Sequence, residues 1–220
     1  MDTPPAGARR AIIFDLDGTL VDSLPDIAAA ANAVLAEQGL APLAEAEVRA
    51  MVGDGALALM RAAAAARGVA ALPDAWYRRF LAVYGAAPAA RTKAYPEVPE
   101  TLAALRQRGF VLGICTNKPQ APAEALLAAL GLADLFAAVV GGDVLAVRKP
   151  DPAHLLAVVE RLGCRPGEAI YVGDNEHDAA AAAAAGLPFA LVGHGYARVA
   201  PDSLPARWRL ARFGELLAVV

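Results

Sequence analysis

Asp15 and Asp17, in the run Asp15-Leu16-Asp17-Gly18-Thr19, set two carboxylates one residue apart. Carboxylates so close repel each other, and one takes up a proton unless a cation offsets them. Both outcomes are useful: a metal-bound carboxylate is a nucleophile, and its neighbour can pass a proton as general acid and base. The same residues also form a plausible polar turn with Asp17-Gly18 at the corner, and alone they leave both readings open. Thr116-Asn117 offers a hydroxyl and an amide that suit a phosphoryl cradle or, equally, a helix cap. Lys149, between Arg148 and Pro150, is a compact cation able to neutralise a phosphoryl group and an attacking carboxylate; alone it is also an ordinary surface lysine. Asp174, in Gly173-Asp174-Asn175-Glu176-His177-Asp178, adds a third acidic position. Hard oxygen donors without a thiolate or a histidine pair favour magnesium over zinc. Asp178 suits either indirect support of a metal or the positive end of a helix. His177, alone beside acids, reads as exposed.

These residues sit at the ends of apolar runs. Ala11 to Phe14 ends at Asp15, and similar runs cover Phe110 to Cys115, Ala137 to Gly141, Ala169 to Val172 and Pro188 to Val192. Short apolar runs of this kind suit buried parallel strands. Helical stretches separate them: Val98 to Arg108, Gln120 to Leu130, Pro152 to Leu162 and Glu176 to Ala185. Gly109, Gly131, Gly163 and Gly186 follow those stretches, where a left-handed cap favours glycine. Strand alternating with helix predicts an α/β fold with a parallel sheet, its site beyond the carboxyl ends of the strands. From about Ser23 to Arg91 the pattern is wholly helical, with stretches at Ile27 to Gln38, Ala56 to Arg67 and Trp76 to Tyr84. This predicts a helical domain over 22–92, inserted after the first strand into a core made of 1–21 and 93–220.

The chain has 220 residues, 57% hydrophobic, 20% charged and 6% aromatic. Much of the apolar content is alanine, as in Ala179 to Ala185, which predicts helices packed closely through small side chains. A net charge of −3 argues against nucleic acid as a partner, since binding it requires a basic surface. The first ten residues lack the apolar core of a secretory signal, and apolar runs stop well short of the roughly 20 residues that span a bilayer. Cys115 and Cys164 form no ligand-like pair and read as two buried free thiols of a cytoplasmic protein. Nothing in the sequence specifies an oligomeric state. Gly53-Asp54-Gly55 lacks the third glycine and the preceding strand of a dinucleotide fingerprint.

Taken in order, the four acid, hydroxyl and lysine groups resemble the haloacid dehalogenase superfamily. Asp15-Leu16-Asp17-Gly18-Thr19-Leu20-Val21-Asp22-Ser23 is similar to its first motif. Thr116-Asn117 is similar to the second, Lys149 in Arg148-Lys149-Pro150-Asp151-Pro152 to the third, and Gly173-Asp174 with Asp178 to the fourth. The resemblance spans Ile12 to about Val192 and implies a Rossmann-like core with a helical cap. It implies a phosphatase in which Asp15 attacks phosphorus and forms an aspartyl-phosphate. Asp17 would protonate the leaving alkoxide and then activate the hydrolytic water. Asp15, the backbone carbonyl of Asp17, and Asp174 would hold Mg2+, while Thr116, Asn117 and Lys149 would bind phosphoryl oxygens. A carboxylate at Asp17 sets the chain apart from members that cleave carbon–halogen bonds.

Within the superfamily the chain looks like bacterial phosphoglycolate phosphatases, through Ile114-Cys115-Thr116-Asn117-Lys118-Pro119, Ala185 to Phe189 and Gly193-His194-Gly195-Tyr196. Arg61 and Arg91 are candidates to meet a substrate carboxylate. Two positions depart from the family pattern: Asn175 replaces a common serine, and Glu97 follows Tyr95-Pro96 where glycine is usual. The expected partner is a small phosphorylated metabolite. A phosphatase or mutase for another sugar phosphate, nucleotide or pyrophosphate is the alternative. A non-catalytic phosphate binder fits poorly, because Asp15, Asp17, Lys149 and Asp174 are all present.

Overall fold

The computed structural model describes residues 10–220. The reading of the N-terminal segment as lacking a secretory signal, and the first nine residues assigned to the core, lie outside that range. The chain runs β1 (Ala11–Phe14), β2 (Val21–Asp22), α1 (Leu24–Glu37), α2 (Glu45–Arg49), α3 (Ala56–Ala65), α4 (Asp74–Ala86), β3 (Lys93–Ala94), α5 (Val98–Gln107), β4 (Val111–Cys115) and α6 (Gln120–Ala129). It continues through β5 (Ala138–Val140), α7 (Pro152–Arg161), β6 (Ala169–Gly173), α8 (Glu176–Ala185), β7 (Phe189–Val192), β8 (Trp208–Leu210) and α9 (Leu216–Val219).

Six strands form one sheet in the order β5-β4-β1-β6-β7-β8, with every pairing parallel. Side chains alternate across β1: Ile12 and Phe14 enter a core with Leu102, Leu105 and Leu126, and Ile13 enters another with Leu155, Val158 and Ala182. The first core is therefore covered by α5 and α6 and the second by α7 and α8. A strand buried on both faces has no room for polar residues until it ends, so polar chemistry begins at Asp15. The sixth strand, β8, lies at the edge of the sheet beyond the five apolar runs of the sequence. The four glycines after the core helices all have φ between 66° and 84°, as their positions predict.

Helices α1 to α4 pack on one another through Val34, Leu35, Met60 and Phe80, in a third core that also takes Tyr196 from beyond β7. Their segment is flanked by an antiparallel pair, Val21↔Ala94 and Asp22↔Lys93, so it leaves and rejoins the chain side by side. The expectation of helices at Ile27, Ala56 and Trp76 holds, with α1 and α4 each starting a few residues earlier. Glu97 adopts φ 68°, the left-handed conformation that glycine takes more readily. Its carboxylate accepts from the Gly214 N–H at 2.9 Å, tying the start of α5 to the C-terminal segment. Among the described residues no helix is long and apolar enough to cross a membrane. Both cysteines are free, Cys115 buried and Cys164 only partly so, which corrects the expectation of two buried thiols.

Candidate active site

Asp15 leaves β1 with its N–H still bonded to Val172 O at 2.9 Å, so strand geometry carries it past the edge of the sheet. Asp174 follows β6, the neighbour of β1, and Asp178 begins the second half of the first turn of α8. Carboxylate oxygens of Asp15, Asp174 and Asp178 all lie within 4.8 Å of one another, and all three residues are buried. Burial and Asp178 repulsion, only partly countered by Lys149, push the Asp15 carboxyl up to about 7. Burial, with Asp178 and Asp15 beside it, drives Asp174 well above the carboxylate range. Three buried acids that cannot all ionise unaided suit a hard divalent cation, which would hold them charged at neutral pH.

Asp178 stands at the N-terminus of α8, and both of its oxygens are engaged there. One of its oxygens accepts from the Asp174 and Asn175 N–H groups at 3.0 and 3.3 Å. The other accepts from Lys149 Nζ and the Tyr171 hydroxyl, each at 2.7 Å. With both oxygens engaged, Asp178 positions its neighbours and has little capacity left for a metal. Lys149 Nζ lies 2.8 Å from Asp15 as well and is 2% exposed; the surface reading of this lysine is wrong. Its loop is braced by His154, which accepts from the Lys149 N–H at 3.2 Å through Nδ1 and reaches Gly141 O at 3.1 Å through Nε2. Burial and the Lys149 charge lower His154 to about 4, so the ring is neutral.

Asp17 stands outside the three-acid cluster but lines the same cavity as Asp15. Its side chain accepts from Ser23 Oγ at 2.6 Å and pairs with Lys118 Nζ at 3.1 Å. The Thr116 hydroxyl accepts from the Lys118 N–H at 3.2 Å and makes no cap for α6, whose first residue follows Pro119. The Asn117 amide donates to Gly53 O at 2.8 Å and Lys149 O at 3.0 Å, while its buried Oδ1 has no partner. Asn175 caps α8, accepting from the His177 N–H at 2.9 Å, which is how it fills a position where serine is common. Arg61 and Arg91 are exposed and line no part of the cavity beside Asp15.

Several contributors had no separate signal in the sequence. The Thr19 hydroxyl donates to Asp174 at 3.0 Å, and the Tyr196 N–H does so at 2.6 Å. Gly18 and Gly195, with φ of 87° and 113°, press their backbones against the Asp174 carboxylate. A Cβ on Gly18 would lie 2.6 Å from Asp174 Oδ2, and one on Gly195 would strike the same atom. A Cβ on Gly173 would meet the Asp178 carboxylate.

The helical segment closes over this edge. Val52, Gly55, Leu59, Phe80 and Tyr84 face Asp15, Asp17, Thr116 and Asn117 across a cavity. It offers about 50 Å3 to the centres of water-sized groups, where one water needs roughly 10–15 Å3. Outside it, Arg198 joins Asp54 of the helical segment to Glu176 of α8, at 2.7 Å to each, and His177 Nε2 lies 3.0 Å from Asp54. His177 is therefore half-buried and paired, contrary to expectation.

Residues 9–186 match the family model of the haloacid dehalogenase-like hydrolases. The chain belongs to that family. It is 50% identical over 204 residues to a phosphoglycolate phosphatase of Rhodospirillum rubrum, covering 90% of this chain and 85% of that one. It is 45% identical over 210 residues to a phosphoglycolate phosphatase of Cereibacter sphaeroides, covering 93% and 94% respectively. The crystal structure of a predicted phosphoglycolate phosphatase from Haemophilus somnus superposes with a TM-score of 0.91 at 32% identity, covering 96% of this chain and 97% of that one. In this haloacid dehalogenase-like hydrolase the parallel sheet and the helical segment above it are thus shared with the Haemophilus somnus protein across nearly the whole chain.

Proposed function

We propose that this hydrolase cleaves 2-phosphoglycolate, with Mg2+ as its metal and a covalent aspartyl-phosphate as intermediate. The observation that carries the reading is the convergence of Asp15, Asp17, Thr116 and Asn117 on one cavity beneath the helical segment. The phosphatases named above support the substrate.

In the proposed reaction an Asp15 oxygen forms a bond to phosphorus as the ester P–O bond breaks. Asp17 gives its proton to the departing alkoxide. Water then attacks phosphorus, passing a proton to Asp17, and the bond to Asp15 breaks to release phosphate. Asp15, Asp174 and the Asp17 backbone carbonyl would hold Mg2+, which supplies charge neutralisation between the nucleophile and the phosphoryl oxygens. Lys149, held by Asp178 and Tyr171, orients Asp15 and offsets phosphoryl charge. Thr116 and Asn117 receive the phosphoryl group. Phosphoryl transfer asks mainly for such alignment and neutralisation. The helical segment over 22–92 serves as a cap that excludes water when closed. Net charge −3 and two free cysteines support a cytoplasmic protein that does not bind nucleic acid.

The test is phosphate release with Mg2+ from phosphoglycolate, sugar phosphates, nucleoside monophosphates and pyrophosphate. A kcat/KM for phosphoglycolate far above the others is expected. A flat profile, or another winner, discards the substrate.

A further inference from the structure

Among the residues lining the cavity, Lys118 is the one basic side chain. The side chain is 6% exposed and its ammonium lies 3.1 Å from Asp17, 4.3 Å from the centre of the Tyr84 ring. Burial opposes its charge, but Asp17 and Tyr84 outweigh that and hold it above the ordinary lysine range. The Tyr84 hydroxyl, 3% exposed as a residue, lies against the Lys118 ammonium without completing a hydrogen bond of normal geometry. A buried cation with one counter-ion and a buried hydroxyl without a well-formed hydrogen bond therefore share the wall of a cavity also lined by Val52, Leu59 and Phe80.

A buried ammonium is costly unless paired, and it can donate three hydrogen bonds. Asp17 occupies it from one side only. A neutral leaving group would fill the chamber without using the remaining donors or the Tyr84 hydroxyl. An anionic one would use both. We propose that Lys118 is the specificity-determining residue that receives the carboxylate of a small phosphorylated hydroxy acid, with Tyr84 donating a second hydrogen bond to it. This rests on the phosphatase reading of the same site. Recognition then belongs to the sheet edge through Lys118 and to α4 through Tyr84, so a carboxylated substrate stitches the two layers together. Arg61 and Arg91 take no part.

The test compares kcat/KM for phosphoglycolate with that for ethyl phosphate, which lacks the carboxylate, in the wild type, Lys118→Met and Tyr84→Phe. The ratio of the two constants is the readout, because a lysine that merely supports Asp17 lowers both equally. The ratio is expected to fall about 100-fold in Lys118→Met and several-fold in Tyr84→Phe, as when a site built for a polar group meets an analogue without it. A Lys118→Met ratio within threefold of wild type overturns the assignment; if that variant does not fold, Lys118→Gln decides by the same criterion. Wild type that prefers phosphoglycolate while the variant keeps that preference leaves the substrate standing and removes Lys118. Wild type that prefers another carboxylated ester removes the substrate name, and the ratio against that ester's uncarboxylated analogue decides on Lys118. Wild type that favours no carboxylate overturns both.

Discussion

Lys149 holds its ammonium 2.8 Å from Asp15 and is itself held by Asp178 at 2.7 Å. One cation thus faces two acids, and Asp174 adds a third within the same few ångströms. The charge imbalance is local and buried, and it is relieved either by a proton on one of the acids or by a further cation.

Asp15→Asn keeps the shape of the side chain and removes its charge. Steady-state turnover should fall about 10^4-fold or more, the scale seen when a nucleophile is lost. With chelator present, the variant should also be more stable than wild type at pH 8. The Asp15 carboxyl rises from 3.8 to about 7 on folding, so its ionisation opposes folding, and the cost is complete above pH 7 and absent below about pH 4. The advantage in denaturant unfolding should be on the order of a few kcal/mol at pH 8 and vanish in acid. Substantial turnover in a clean preparation would sink the mechanism.

Mg2+ binding should release protons near neutral pH, because a carboxyl at about 7 must ionise to become a ligand. Affinity should rise from pH 6 to 8 and then level, and the melting temperature should rise with Mg2+ concentration. Calorimetry in two buffers of different ionisation enthalpy reads the protons directly. Equal heats in both buffers would contradict the assignment of Asp15 as a ligand.

His154 makes a separate contribution to acid sensitivity. Its pKa falls from 6.5 to about 4 on folding, so the unfolded chain takes up a proton that the folded one refuses. The stabilisation is full above pH 6.5 and is lost as pH falls toward 4, amounting to about 3 kcal/mol. Compared with wild type, His154→Gln should lose less stability across that window. Parallel stability–pH curves for the two proteins would rule this out.

Asp54 of the helical segment forms a partly exposed ion pair with Arg198 and lies 3.0 Å from His177 of α8. Such pairs are worth roughly 0.2–1 kcal/mol each, so Asp54→Ala should open the cap more often without unfolding it. KM for the substrate is expected to rise a few-fold, with kcat equal or higher. High salt should raise wild-type KM toward the variant's value; a salt-independent gap between them would point away from an electrostatic latch.

The sheet was legible because β1, β4 and β6 are apolar runs that end abruptly in polar residues. Glycines after four helices marked the elements between them. Trp208-Arg209-Leu210 gave no such signal: three residues are too few to show a period, and an edge strand tolerates arginine. The acids Asp15 and Asp174 could be placed because adjacent strands deliver them. Lys118 could not, since its burial is created by Tyr84, brought in from a helix far away in the chain. Tyr171 reads as a core aromatic, and only its hydroxyl, which donates to Asp178 at 2.7 Å, reveals the second role. Arg61 and Arg91 were suggested by charge type alone, and nothing local said on which face of the helical segment they would fall.

Gly18, Gly173 and Gly195 wall in the acids without contributing a functional group. Every missense change of a glycine codon adds at least one carbon, so at these three positions the gene has no conservative missense step. A mutational survey that replaces polar side chains would pass over them entirely. Yet an added methyl there displaces Asp174 or Asp178 as directly as editing the aspartate itself, and variants of this enzyme that have lost activity deserve to be read at those codons first.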